Sequence, residues 1–133
     1  MSDDVQDSVR QWIAKAEIDW ATVGILRRDA AAPREAICFH CQQYVEKLLK
    51  AVLTLRAVEA PRTHDLGRLV QLAAPFVPGL GDLADGADRL SLHGVRSRYP
   101  NDWRDIGEFE LKEMLDLAER FSAIILPVVS GGR

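Results

Sequence analysis

Arg89, Arg96, Arg98 and Arg104 crowd one short stretch of the chain, with Tyr99 and Trp103 interleaved. Guanidinium forks suit phosphate oxygens, and aromatic faces suit nucleobases, so this stretch has the chemistry of a nucleotide or RNA contact. The alternative is structural. Tyr99 and Trp103 would pin an irregular loop onto the core, while the arginines pair with Asp88, Asp102 and Asp105. Surface pairs of that kind are common and contribute little, so both readings stand.

The remaining chemistry-bearing residues are fewer. His40, His64 and His93 fall on three different predicted helices, and no two of them have a metal-ligand spacing such as HExxH. No metal site is expected. Cys38 and Cys41 form a CxxC pair, which can be redox-active or half of a zinc site. No second CxxC exists and no predicted strand precedes the pair, so both are expected as packed thiols. There is no glycine-rich phosphate loop, no GxSxG and no close carboxylate pair in apolar surroundings. From the residues themselves, no catalytic group and no cofactor is assigned.

The elements that must carry these residues are helices. Ile37, Cys41, Tyr44, Val45, Leu48, Leu49, Val52 and Leu55 recur every three or four residues, which makes one buried face of a central helix. His40, Gln43, Lys47 and Lys50 form a second stripe opposite, with Phe39 beside it. A first helix is predicted from about Asp4 to Arg28, with a stripe of Val5, Val9, Trp12, Ala16, Trp20 and Val23. Both tryptophans are expected in the core. Ile13, Ile18 and Ile25 widen or escape that stripe, so the helix is expected to touch two neighbours. Pro33 suits the first turn of the central helix, which should end near Ala57.

A third, short helix is expected over Thr63 to Ala74, capped by Thr63. Pro75, Pro78, Gly79 and Gly81 make a turn region. A fourth helix follows from about Leu80 to Gly94, carrying Leu83, Ala87, Leu90 and Leu92 and weakened by Gly86. Val95 to Arg104 lacks helical periodicity. Asp105 and Glu108 are placed like a capping box for a last helix, which Pro127 should close. No stretch alternates with period two. The expected fold is all-α, an antiparallel up-and-down bundle of four long helices plus a short fifth.

A length of 133 residues fits one domain with a proper core. The formal charge of −3 argues against a general nucleic-acid binder but leaves room for a local basic patch. The acidic N-terminus lacks the apolar run of a secretion signal, and no stretch has the length of a membrane span. A cytoplasmic protein without a membrane partner is the expectation.

CFHCQQYVEKLLKAVL resembles the signature of HEPN domains at Phe39, Gln43, Glu46, Lys47, Leu48, Lys50 and Ala51. Thr63-His64-Asp65-Leu66 resembles the family's THDL segment, and Arg98-Tyr99-Pro100 its RYP segment. The first helix fits as well, with Trp12, Ala16 and Asp19. The likeness covers roughly residues 8–126 of a single domain spanning 1–133. It implies a helical bundle that is usually a homodimer, and a non-catalytic partner of a small MNT-type nucleotidyltransferase in a toxin–antitoxin-like pair.

The alternative implied by the resemblance is a metal-independent ribonuclease toxin. Those members carry arginine, four to six residues, then histidine, at the start of the last long helix. Here no histidine follows Arg98 anywhere in the chain. Arg34 and His40 have the spacing but lie on the central helix, and Arg89 and His93 are one residue too close. A ligand-free structural dimer is the third reading. The expected ligand surface for a nucleotide or RNA phosphate is Lys47, Lys50, His64, Arg96, Arg98 and Tyr99. The expected dimer face is Ala36, Phe39, His40 and Gln43, where small residues and one large apolar neighbour allow close helix approach.

Overall fold

The computed structural model describes residues 2–95 and 105–130. Among these the chain forms five α-helices and no strand. Helix α1 spans Asp3–Arg27, α2 Arg34–Leu55, α3 Leu66–Ala73, α4 Ala84–Val95 and α5 Glu108–Ser130. The expectation named four long helices. Three of the five have 22 residues or more, while α4 has 12 and α3 has 8.

Helix α1 begins where Ser2 accepts a hydrogen bond from the Val5 amide at 3.2 Å. Asp3 and Asp4 in its first turn and Arg27 in its last complement the helix dipole. Val9, Ala16 and Val23 are buried, as the stripe requires. Trp12 and Trp20 are only half-buried against the core, and Trp20 stacks on Tyr44 with ring centres 4.8 Å apart. Of the three flanking isoleucines only Ile13 packs on the core; Ile18 and Ile25 are exposed by 66% and 65%.

Helix α2 is the axis of the fold. The predicted face is buried from Ile37 to Val52, and so are Cys38, Gln42, Glu46, Ala51 and Leu53. It packs against all four other α-helices, so little of its circumference is left to solvent. Helix α1 runs antiparallel to it: Trp12 lies by Lys50, and Asp19 by His40 and Lys47. At its C-terminus, Ala57 N donates to Thr54 O at 3.1 Å and Val58 N to Leu53 O at 2.9 Å. This pairing is a Schellman motif, and it puts Ala57 at φ 57, in the left-handed region where glycine is usual. We expect Ala57→Gly to stabilise the fold by about 1 kcal/mol, read as a raised urea midpoint with an unchanged slope.

Several helix boundaries differ from the sequence reading. Helix α3 starts at Leu66 and is capped by Asp65, whose side chain accepts from Gly67 N at 3.0 Å. Thr63 accepts from Asp65 N instead, which shapes the approach to the helix. Helix α5 starts at Glu108, so that residue stands in the first position rather than the third, and the expected capping box does not form. Pro127 lies inside α5 rather than ending it. It forgoes one bond to the preceding turn, yet Val129 beyond it remains buried.

The turn region holds two short 3₁₀ segments, Ala74–Phe76 and Leu80–Leu83, joined through Gly79 at φ 86. Helices α4 and α5 run antiparallel. Arg89 pairs with Glu113 at 3.3 Å and His93 with Glu110 at 3.1 Å. Gly86 is where these helices touch: a Cβ there would stand 2.4 Å from Leu117 Cδ2. What looked like a weak helical residue is a close-approach position. The N-terminal ends of α2 and α5 also meet, with Arg34 Nη1 donating to the Ile106 carbonyl at 2.9 Å. Among the described residues no helix is long and apolar enough to cross a membrane.

Candidate functional site

Two carboxylates are buried among apolar neighbours, and each gathers a lysine and a histidine. Asp19 on α1 is 5% exposed. Its Oδ2 lies 2.5 Å from Lys47 Nζ, and its Oδ1 lies 2.8 Å from His40 Nδ1. Glu46 on α2 is 4% exposed. Its Oε2 accepts from Lys50 Nζ at 2.9 Å. Its Oε1 accepts from Gln42 Nε2 at 2.9 Å and from His64 Nδ1 at 3.1 Å. Buried charge survives in a fold only when paired and hydrogen-bonded in this manner.

The local sequence explains the placement. Asp19 falls on the stripe of Ala16 and Val23, so helical geometry turns it inward. Gln42 and Glu46 share a face with Leu49 and Leu53, which carries both polar groups into the core. Burial alone would raise the Glu46 carboxyl. The hydrogen bonds from Lys50, Gln42 and His64, with the Lys50 charge, outweigh it and hold the group below its ordinary value. The Gln42 amide is fully buried; it donates to Glu46 and accepts from Gln43 Nε2 at 2.9 Å.

An ionised carboxylate only accepts, so both imidazoles carry their proton on Nδ1. That leaves Nε2 of His40 and of His64 as the atom available to a ligand. His64 is held from behind as well. Its carbonyl accepts from Ser91 Oγ at 2.9 Å, and Ser91 Oγ accepts in turn from Leu66 N at 2.9 Å. The Thr63-His64-Asp65-Leu66 segment is thus an approach turn, a site imidazole, a helix cap and a core residue in succession.

Of the residues predicted to bind a ligand, Lys50 and His64 meet on Glu46, while Lys47 is drawn to Asp19. Arg96, Arg98 and Tyr99 lie outside the described residues, as do Trp103 and Arg104. The helix that leads into that segment ends against the cluster: a Cβ on Gly94 would fall 2.6 Å from Gln42 Cδ. Arg89 pairs across to Glu113 and not with Asp88. Of the expected dimer face, Ala36, Phe39, His40 and Gln43 are all half-buried, and the last two also bond within the chain, to Asp19 and Gln42.

Asp19, Gln42 and Glu46 were missed as site residues. The signal was present in the sequence, as polar residues standing at apolar positions of a helical stripe. The three histidines do not converge; they go to Asp19, Glu46 and Glu110 separately. Among the described residues no three His, Cys, Asp or Glu side chains are grouped to hold a metal. Cys38 and Cys41 are fully buried, and burial, with the neighbouring Cys38 adding to it, pushes the Cys41 thiol up to about 12. A thiol so placed is a packing group and not a nucleophile. A shallow cleft of about 370 Å³ lies by the start of α3, lined by Glu59, Ala60, Pro61, Arg62, Arg68 and Leu72. It shares no residue with either carboxylate cluster.

No curated protein and no solved structure matches the chain. The HEPN domain model does, over residues 9–127, from the first helix through α5. That match spans most of the chain, and it takes in both carboxylate clusters and the turn that presents His64: the chain belongs to the HEPN family.

Proposed function

We propose that this HEPN chain is a nucleotide- or RNA-interacting module, and that the face built on Asp19 and Glu46 holds a phosphate-bearing ligand. Family membership supports the general role. One observation carries the choice of face. Two lysines and two imidazoles are gathered on buried carboxylates where α4 ends against Gln42. The segment with Arg96, Arg98 and Tyr99 follows directly in the chain. Buried anchors fix the ammonium and imidazole groups before a ligand arrives, which lowers the ordering cost of binding.

In this reading the chain is a single-domain up-and-down bundle and acts as a homodimer through Ala36, Phe39, His40 and Gln43. It serves as the non-catalytic partner of a small MNT-type nucleotidyltransferase in a toxin–antitoxin-like pair in the cytoplasm. The absence of a histidine after Arg98 supports the non-catalytic role, since phosphodiester cleavage needs a general acid or base beside the charge-stabilising arginine.

The test is calorimetric titration with ATP, with and without magnesium, on the wild type and on Arg98→Ala. Saturable heat in the wild type, weakened in Arg98→Ala, is the expected result. Absence of heat with ATP, together with no retention of short RNAs, would reject the ligand claim.

A further inference from the structure

Trp12 on α1 carries two ammonium groups. Lys50 Nζ lies 5.5 Å from its ring centre and Lys15 Nζ lies 5.7 Å from it. The two lysines differ in what neutralises them. Lys50 is bound to the buried Glu46, whereas among the described residues Lys15 pairs with no carboxylate. Lys15 is exposed on its helix while Lys50 is largely covered. The indole therefore holds an unneutralised cation at the rim of the Glu46 cluster. An aromatic face attracts an ammonium and narrows the positions a long, flexible side chain samples.

We propose that Lys15, positioned by Trp12, reads the outer phosphates of a polyphosphate ligand and sets a preference for nucleoside di- and triphosphates over monophosphates. The inference rests on the proposed nucleotide reading. A phosphate seated between Lys50 and His64 has one cation already balanced by Glu46, so a single phosphate finds little net positive charge there. The next phosphate along the chain meets Lys15, which among the described residues pairs with no carboxylate. Affinity then rises with phosphate number, and the rise depends on Lys15.

The experiment titrates AMP, ADP, ATP and inorganic tripolyphosphate into the wild type, Lys15→Gln, Lys15→Arg and Trp12→Leu. Lys15 is exposed, so its variants keep the fold. In the wild type, ATP and tripolyphosphate bind more tightly than AMP. Lys15→Gln weakens ATP and tripolyphosphate by about fivefold, the ceiling for one exposed charge pair, and leaves AMP unchanged. Lys15→Arg retains the preference, Trp12→Leu loses part of it, and added salt reduces it in the wild type. If ATP binds and Lys15→Gln weakens it no more than AMP, the inference falls and the nucleotide reading survives. If the wild type binds none of the four ligands, both fall together.

Discussion

Glu46→Ala is expected to lower the unfolding free energy by about 3 kcal/mol, because it removes the one acceptor that a buried, a half-buried and an exposed donor share. Lys50, Gln42 and His64 all donate to this carboxylate. Gln42 is completely buried, so its Nε2 donor would be left unsatisfied. Lys50 is 18% exposed along its side chain and can turn its ammonium outward, which keeps the loss below that of a sealed ion pair. Urea unfolding should show a lower midpoint at unchanged slope, and thermal unfolding a drop of about 10 °C. A loss within experimental error would mean that the cluster rearranges freely.

The same carboxylate fixes a pH dependence. Its folded-state value lies below the ordinary 4.5, so near and just below 4.5 the unfolded chain binds more protons than the folded one. Its contribution is fully present above 4.5 and is lost as pH falls through the lowered value. Glu46→Gln keeps the shape but not the charge. The stability gap between wild type and Glu46→Gln should therefore narrow as the pH falls below 4.5.

Gly94→Ala is expected to cost about 2 kcal/mol, although alanine is the better helix former. The new Cβ would lie 2.6 to 2.8 Å from three atoms of the Gln42 amide. Gln42 cannot move aside without giving up its bonds to Glu46 and Gln43. Adding Gln42→Ala distinguishes this cause from a general helix effect. If the contact with Gln42 is responsible, Gly94→Ala is nearly neutral in the Gln42→Ala background, as a double-mutant cycle measures. An undiminished penalty there would place the cause elsewhere. Because Gly94 leads into the segment bearing Arg96 and Arg98, the single variant should weaken ATP binding as well.

The helical fold was legible because Val9, Ala16 and Val23 on α1 recur every seven residues, two helical turns, and the apolar residues from Ile37 to Val52 on α2 recur every three or four. The helix ends were less so. Asp65 and Thr63 are both good caps two residues apart, and local chemistry does not choose between them. Pro127 reads as a terminator, yet tertiary packing of Val129 carries the helix past it. Gly86 reads as a weak point until the Leu117 side chain is seen against it.

Of the candidate site, the sequence shows the stripe of His40, Gln43, Lys47 and Lys50 and the motif histidine His64, but not what holds them in place. That stripe is in fact pinned from below. Asp19 is contributed by a different helix, and only the antiparallel seating of α1 on α2 reveals its meeting with His40 and Lys47. Glu46 was visible as part of a motif. Its role as the common anchor of Lys50, Gln42 and His64 depends on α3 arriving beside α2, which no local pattern states.

The central claim is that the Glu46 cluster holds a phosphate-bearing ligand, and calorimetric titration of ATP into the wild type and Lys50→Gln tests it most directly. The exchange removes a cation and leaves Glu46 to repel phosphate, so the predicted result is saturable binding in the wild type and affinity lower by about tenfold or more in the variant. Circular dichroism on the same samples shows whether the variant keeps its helices. Equal binding constants in two folded proteins would contradict the account and move the ligand away from this face.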